Sequence, residues 1–270
     1  MTIAGLKDKV AELVRGLDIP QLKNEGLLPI NDLFFPSVHY PPITMYPPIG
    51  EDDLFLGYQT PANGLFDIYA HVPFCIKYCA FCHYPVKLGE RPSEKDRYLD
   101  ALEKEMDLYL ARLGLKEFKS RSILVGGGTP TYLSPGQLQR FLDSFCRRID
   151  MSSKPQFSYD VDPITISGPT GRERLKLLRE HGVNRLTIGL QSLDDGLLKG
   201  MNRHHNAAEA MQSVREAKEA GFKVNVELIY GYPGQTFECW ADSLEKTAKL
   251  DAEEIQLYRL KIVPYGDHTG

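Results

Sequence analysis

The sequence predicts an α/β protein, a partial barrel of six β/α units preceded by an irregular, proline-rich N-terminal extension. Six short segments rich in Val, Ile, Leu and aromatic residues alternate with longer amphipathic segments from about residue 65 onward. Strands that alternate with helices usually pair in parallel, because each crossover returns the chain to the same edge of the sheet. The sequence has no doubly wound dinucleotide-binding signature, which favours a barrel over an open doubly wound sheet.

Residues 1–64 are predicted to form the extension. The stretch IAGLKDKVAELVRGL has apolar residues near helical spacing and predicts a short helix. The following FFPSVHYPPITMYPPIGEDD is dense in proline and tyrosine, and proline removes amide donors and favours extended or turn conformations. We interpret this arm as a strap across the main domain, with a proline-rich recognition segment as the alternative.

Six segments have the length and composition of β-strands. They span residues 66–72, 121–127, 156–162, 184–190, 223–231 and 254–262. Together they predict a main domain over residues 65–264, and residues 265–270 are then the C-terminal end.

Capping signals predict helices between these strands. Ser134, Pro135 and Gln137 provide an N-cap, a first-turn proline and a capping box. Ser93 is predicted to open the preceding helix, and Thr236 the last one. The segments GRERLKLLREHG and NAAEAMQSVREAKEAG end at glycines suited to a left-handed cap.

Charge and hydropathy disfavour two classes of partner. The 270 residues include 36 acidic and 32 basic side chains, mixed along the chain, for a net charge of −4. This balance provides no basic surface for a phosphate backbone. No uninterrupted apolar run is long enough to cross a bilayer, and the N-terminus lacks a secretory pattern. We therefore expect a cytoplasmic protein that binds neither nucleic acid nor a membrane.

Three of the five cysteines crowd one short loop after the first strand. Cys75, Cys79 and Cys82 lie in CIKYCAFCHYP, whereas Cys146 and Cys239 stand alone in helical segments and are interpreted as structural thiols. In a reducing compartment, a cluster of thiols indicates metal binding or catalysis rather than a disulfide framework.

Three thiolates can hold three corners of an iron–sulfur cube and leave one iron without a protein ligand. The alternative is zinc with His83 as the fourth ligand, but the adjacent Cys82 and His83 fit a tetrahedron poorly. His83 is also expected near the rim of a cluster, where it could tune its potential through a hydrogen bond.

Five unusual segments are expected to meet at the C-terminal ends of the strands, where barrels gather their reactive groups. They are the cysteine loop, GGGTP (126–130), DVDP (160–163), GLQS (189–192) and ELIYGYP (227–233).

These motifs resemble the radical S-adenosylmethionine (SAM) superfamily, and more narrowly the family of oxygen-independent coproporphyrinogen III oxidase and its relatives. The resemblance is carried by IYAHVPFC, GGGTPTYLS, NRLTIGLQSL, MNR and ELIYGYPGQT, in order, from about Phe66 to Pro264. It implies a radical SAM barrel, a [4Fe–4S] cluster and one or two molecules of SAM. It also implies a small-molecule substrate and an electron donor such as flavodoxin or ferredoxin.

The resemblance assigns roles to individual residues. It implies that Cys75, Cys79 and Cys82 ligate three irons, and that the fourth iron chelates SAM. Cleavage of SAM would then give methionine and a 5′-deoxyadenosyl radical that abstracts hydrogen from the substrate. The residues at the family's SAM-contact positions are Tyr69, Phe81, Gly127, Gly128, Thr129, Asp160, Gln191, Arg203 and Glu227.

The sequence departs from the family pattern at three positions. Asp160 replaces a glutamate and Glu227 replaces an aspartate. The oxidase has a further cysteine shortly after its third cluster cysteine, whereas this chain continues from Cys82 with His83 and Tyr84. Family members usually carry a further C-terminal domain, so we expect either a fragment or a more open substrate side.

Several functions stay open at this point. They are oxidative decarboxylation of a tetrapyrrole side chain, anaerobic haem opening, and SAM-dependent methyl or methylene transfer. A haem-binding chaperone without SAM turnover is the alternative from the same family, and a zinc-stabilised binding module is the alternative from outside it.

Overall fold

The computed structural model describes residues 15–25, 47–50, 55–61, 63–89 and 91–261, together with Glu12 and Asp53. The chain divides into two compact units, Met1–Gln59 and Thr60–Gly270. Most of the predicted N-terminal helix, the core of the proline-rich arm and the C-terminal end at 265–270 lie outside the described residues. The boundaries predicted from the sequence stay predictions.

In the first unit, helix α1 spans Ile19–Asn24. Its N-cap is Asp18, whose carboxylate accepts a hydrogen bond from the Gln21 amide at 2.9 Å. This bond satisfies one of the amide groups that the first turn of a helix leaves unpaired.

The second unit contains a parallel sheet whose main strands match all six predicted segments. Its strands are β1 Leu65–Val72, β4 Phe118–Gly127, β5 Ile149–Asp150, β6 Gln156–Val161, β7 Arg185–Gln191, β8 Lys223–Tyr230 and β9 Glu254–Arg259, and a separate pair is formed by β2 Phe74–Cys75 and β3 Lys87–Leu88.

The strands of the sheet follow one another in chain order. The order is β1-β4-β6-β7-β8-β9, every pair is parallel, and the short β5 pairs with β4. A sheet that grows in one direction is the arrangement of a barrel, whereas a doubly wound sheet reverses its order. The predicted α/β class is confirmed, and the sequential order is that of a partial barrel, since β1 and β9 form the two edges of the described sheet.

Helices connect the strands. They are α2 Pro92–Leu113, α3 Pro135–Cys146, α4 Gly168–Glu180, α5 Asp195–Gly200, α6 Ala207–Glu219 and α7 Phe237–Ala248.

Most of the predicted helix ends are confirmed. Ser134 accepts from the Gln137 amide at the start of α3, and Thr236 accepts from the Cys239 amide at the start of α7. The prediction that Ser93 opens α2 is wrong. That helix begins at Pro92 with Arg91 as N-cap, because the Arg91 amide donates to the Glu94 carboxylate at 3.0 Å.

The core lies between the sheet and its helices. Four side chains, one on each of four strands, are fully buried at 0% exposure: Val72, Val125, Ile188 and Val226. Burying a side chain of this size contributes about 1.5–3 kcal/mol. In contrast, Leu257 on the edge strand β9 is 47% exposed.

No described helix is both long enough and apolar enough to span a lipid bilayer.

A 3-10 turn at Pro163–Ile166 follows β6 and packs closely on α4. A Cβ at Gly171 would overlap the Ile166 backbone, whereas a Cβ at Gly136 in α3 would meet nothing within 4 Å. This contact fixes the loop after β6, which carries the acidic side chain of Asp162.

We predict that Gly171→Ala lowers the free energy of unfolding by about 2 kcal/mol, because the added methyl forces the turn away from α4. The matched variant Gly136→Ala should leave it unchanged or raise it by up to about 1 kcal/mol, since alanine favours a helix. Urea denaturation followed by circular dichroism measures both. Equal effects in the two variants would contradict this account.

Candidate cofactor site

The candidate site lies at the C-terminal ends of the parallel strands. The cysteine loop follows β1, the glycine segment ends β4, and Asp160 lies near the end of β6. Gln191 ends β7, and Glu227 lies in the second half of β8. The register pairs Asp160 with Thr187 and Gly189 with Glu227, so the polar groups of adjacent strands are neighbours.

The cysteine loop is closed at its base and turned at its tip. Strand β2 pairs with β3, and the Lys87 amide donates to the Pro73 carbonyl at 2.8 Å. At the tip, the Cys82 amide donates to the Cys79 carbonyl at 3.0 Å. The three cysteines of the loop are free and partly buried.

The glycine segment after β4 holds the base of this loop. The Gly128 amide donates to the Val72 carbonyl at 2.9 Å, and the Thr129 amide donates to the Phe74 carbonyl at 2.7 Å. A Cβ at Gly128 would lie 2.7 Å from the Pro73 carbonyl carbon. The missing side chain therefore lets two backbone segments meet.

The neighbouring glycines make room for side chains of the protein. A Cβ at Gly126 would overlap the Asp160 carboxylate, and a Cβ at Gly127 would overlap the His71 ring. Gly127 also has a φ of 108°, a conformation that favours glycine. The resemblance implies that Gly127 is a SAM contact, and the structure adds contacts of Gly126 and Gly127 within the protein.

His71 links Tyr69 to the far end of the cysteine loop. Its Nε2 lies 3.3 Å from the Pro85 carbonyl, and its Nδ1 lies 2.9 Å from the Tyr69 hydroxyl. A carbonyl can only accept, so a neutral ring that bonds Pro85 carries its proton on Nε2 and accepts from Tyr69 at Nδ1. The Tyr98 hydroxyl donates to the His71 carbonyl at 2.6 Å.

A second segment, residues 201–203, lies against the middle of the cysteine loop. The Ala80 amide donates to the Met201 carbonyl at 3.0 Å, and the Asn202 side-chain amide donates to the Tyr78 carbonyl at 2.6 Å. Asn202 has a left-handed φ of 57°, which asparagine tolerates better than most residues. The loop is thus held by two segments that are distant in sequence.

Two of the three thiols accept hydrogen bonds from side chains. Thr129 Oγ1 donates to Cys75 Sγ at 3.6 Å, and Arg203 Nη1 donates to Cys79 Sγ at 3.1 Å. Burial raises the pKa of Cys75 to about 11 and also raises the pKa of Cys82. A metal bound by these thiols would therefore displace protons at neutral pH.

Arg203 belongs to a buried charged cluster behind the cysteine loop. Its Nη2 donates to Asp162 Oδ2 at 2.7 Å and to the Gly189 carbonyl at 2.9 Å. His204 Nε2 lies 2.9 Å from Asp162 Oδ1. Burial of Asp162 opposes its ionisation, but the hydrogen bond from His204 and the charge of Arg203 outweigh it and lower the pKa of Asp162 to about 2.

Two further acidic side chains, Asp160 and Glu227, lie on strands of the sheet. Burial, together with the charge of Glu227, raises the pKa of Asp160 to about 7. Burial also raises the pKa of Glu227. Gln191, at a β-bulge with a φ of 65°, lies next to this pair and contributes a hydrogen bond that favours ionised Glu227. Two carboxyl groups with raised pKa values favour a state in which they are not both ionised near neutral pH.

The donor set fits an iron–sulfur cluster and a polar ligand beside it. Thiolates are the ligands that such clusters require. Within the described part of the chain, Gln191 Oε1 and Arg203 Nε are buried and lack hydrogen-bond partners. The first can accept a hydrogen bond from a ligand, and the second can donate one.

A single-metal site fits less well. Among the described residues, no three His, Cys, Asp or Glu side chains are arranged to hold one metal ion. Zinc requires four ligand atoms within about 2.3 Å of the metal. The His83 ring, the fourth zinc ligand of the alternative interpretation, is stacked on Tyr84 with centroids 4.9 Å apart.

The structure brings most of the predicted residues to one rim. Tyr69 and Phe81 are less enclosed than the others. Tyr69 is largely exposed, and Phe81 is partly buried in the cysteine loop. Sequence reasoning missed the contacts of Asp162, Asn202 and His71. Asp162 stands in the quoted DVDP motif, so its position after a strand was the available signal, whereas the partners of Asn202 depend on the fold.

The chain is similar to a family model and to several known proteins. The model of the radical SAM superfamily matches residues 69–247. The heme chaperone HemW of Bacillus subtilis is 37% identical over 198 residues, which cover 73% of this chain and 50% of that protein. The oxygen-independent coproporphyrinogen III oxidase of Escherichia coli is 32% identical over 198 residues, covering 73% of this chain and 42% of that protein.

Among solved structures, the coproporphyrinogen III oxidase HemN from Escherichia coli, described as a radical SAM enzyme, superimposes with a TM-score of 0.71. The match has 29% sequence identity and covers 80% of this chain and 49% of that one. The chain thus spans about half the length of the curated relatives that it matches.

We predict that Asp160→Asn raises the free energy of unfolding by about 2 kcal/mol at pH 8 and leaves it unchanged at pH 4. The folded-state pKa of Asp160 is about 7, above its ordinary value of 3.8, so wild-type stability should fall as the pH rises between these values. Denaturant titrations over this range measure the effect.

Asp67 provides the control of opposite sign. A hydrogen bond from Arg121 lowers the pKa of Asp67, so Asp67→Asn should reduce stability at pH 8 and have less effect at acidic pH. The account would be refuted by an Asp160→Asn variant whose stability follows the wild-type pH profile.

Proposed function

Because the chain belongs to the radical SAM superfamily, we propose that its cysteine loop holds a [4Fe–4S] cluster at which SAM is cleaved reductively. The observation that carries the proposal is the set of three free thiols on one closed loop, two of which already accept hydrogen bonds from Thr129 and Arg203. When bound, such a cluster supplies the electron that cleaves SAM into methionine and a 5′-deoxyadenosyl radical.

In this proposal, the cysteine loop binds the cluster, and the segments that contact the loop hold it in place. Cys75, Cys79 and Cys82 are the three cluster ligands. Thr129 and Arg203 donate hydrogen bonds to two of the sulfurs, and such bonds tune the potential of a cluster. The two segments that hold the loop, 126–129 and 201–203, fix the positions of the thiols before the cofactor binds.

The rim beside the loop provides the groups for SAM. Arg203 Nε and Gln191 Oε1 are buried without partners among the described residues, which suits a ligand with both an acceptor and a donor. SAM carries a carboxylate and an ammonium group. The proposed contacts, as implied by the family, are Tyr69, Phe81, Gly127, Gly128, Thr129, Asp160, Gln191, Arg203 and Glu227.

The substrate is proposed to be a small organic molecule. Tetrapyrrole decarboxylation has support from the similarity to coproporphyrinogen III oxidase. Methyl or methylene transfer is ranked level with it, because the oxidase's additional cysteine is replaced by the sequence His83-Tyr84. An electron donor such as flavodoxin or ferredoxin would supply the reductant.

A haem chaperone is the second candidate function. It is favoured by the relatives named heme chaperone HemW, among them the one from Bacillus subtilis at 37% identity. In that case the chain would bind haem stoichiometrically, and SAM cleavage would not accompany it.

We predict that Cys79→Ala abolishes the visible absorption of the anaerobically reconstituted protein and removes most of its iron, because a three-thiol site cannot retain the cluster with two ligands. The matched control is Cys239→Ala, which removes a thiol from the N-terminal turn of α7. It should retain full iron content. A brown, iron-loaded Cys79→Ala protein would overturn the assignment.

SAM turnover distinguishes the two candidate functions. The reconstituted protein is incubated anaerobically with dithionite and SAM, and 5′-deoxyadenosine and S-adenosylhomocysteine are separated by chromatography. Deoxyadenosine is the product expected of hydrogen abstraction, and S-adenosylhomocysteine in addition would favour methyl transfer. Neither product from a fully loaded protein, with haem binding at one equivalent, would favour the chaperone.

A further inference from the structure

The charged cluster behind the cysteine loop contains a carboxylate to which the proposed function assigns no role. Asp162 follows β6 directly, and its side chain is only 4% exposed. Its carboxylate also accepts the Ile164 amide at 3.1 Å, so it is held by the backbone of the turn that follows β6. An ionised group this deeply buried requires compensating partners.

Arg203 compensates the charge of Asp162 and also contacts one of the cysteines. Its side chain is 9% exposed and joins Asp162 Oδ2 through Nη2 and the Cys79 sulfur through Nη1. One guanidinium group therefore connects a buried carboxylate to one of the three proposed cluster ligands. Because a guanidinium is planar, fixing one of its amino groups also fixes the direction of the other.

We propose that Asp162 is a positioning residue that holds Arg203 against the Cys79 sulfur and balances its charge, so that the pair sets the reduction potential of the bound cluster. The inference rests on the proposed function, since it requires a cluster on the cysteine loop. It adds a residue outside the thiols and the SAM contacts, and it assigns a purpose to a buried ion pair.

The sign of the effect follows from charge. Reduction adds one negative charge to the cluster, and a nearby positive charge stabilises the reduced form. With Asp162 ionised, the charge of Arg203 is largely compensated. Removing the carboxylate leaves Arg203 uncompensated in a buried site and raises the potential, whereas removing the Arg203 charge leaves the carboxylate and lowers it.

The test compares the reduction potentials of Asp162→Asn, Arg203→Gln and the double variant, measured without SAM by redox titration monitored by electron paramagnetic resonance. Asparagine and glutamine remove the charges and keep polar side chains. At a fixed ambient potential, we expect at least a tenfold rise in the ratio of reduced to oxidised cluster for Asp162→Asn, or about 59 mV for one electron. Arg203→Gln should lower the ratio, and the double variant should lie between the two single variants.

The control is Asp107→Asn, which breaks another aspartate–arginine pair. Asp107 accepts from Arg148 at 2.6 and 2.8 Å, and Arg148 directly precedes β5, which pairs with the start of β4. This pair therefore lies toward the opposite end of the sheet from the cysteine loop. The reduced-to-oxidised ratio should change less than threefold in this variant.

Each outcome decides the proposal. Opposite shifts in the two single variants support it, because a merely structural loosening would move both in the same direction. An unchanged potential in a loaded Asp162→Asn protein overturns it and leaves the proposed function intact. If Asp162→Asn loses the cluster, the double variant should regain it, and failure to do so overturns the proposal. A wild-type protein that assembles no cluster refutes the proposed function itself.

Discussion

The close approach of the glycine segment to the chain after β1 is the constraint on which the site depends. Two amides at 128–129 donate to carbonyls at Val72 and Phe74, and the space that a side chain at Gly128 would need is taken by the Pro73 backbone. This contact joins the end of β4 to the start of the cysteine loop. It is local in space but spans more than fifty residues of sequence, so it forms only when the first two β/α units have paired.

The loop is held from both sides, which matters for a site built on flexible chain. One side is the glycine segment of β4, and the other is the segment 201–203 between α5 and α6. Loops carry function in many folds, but a scaffold must fix them before they can bind a cofactor in one geometry. Here the supports come from the second and fourth β/α units, and the thiols lie between them.

The buried carboxyl groups of the site fall into two sets whose pKa values are shifted in opposite directions. Near the cysteine loop, Asp162 is kept ionised by Arg203 and His204, and its pKa is lowered to about 2. Deeper among the strands, burial raises the pKa values of Asp160 and Glu227, and the charge of Glu227 adds to the effect on Asp160. The aspartate at position 162 therefore stays ionised, whereas the one at position 160 titrates near neutral pH, because only Asp162 has an arginine in hydrogen-bond contact.

The sequence by itself determined the alternation of strands and helices, because periodicity and capping are local properties. All six predicted strands form, and α3 and α7 begin where their caps predict. It also determined the cysteine cluster and the family to which the motifs belong. The prediction that α2 begins at Ser93 is wrong. The helix is capped by Arg91, whose backbone amide donates to the Glu94 side chain, and serine is the more usual capping residue. Only the tertiary structure decided that Arg203 joins Asp162 to Cys79 and that Asn202 holds the loop. These contacts link residues about forty to more than a hundred positions apart, and no local pattern encodes which distant partners meet.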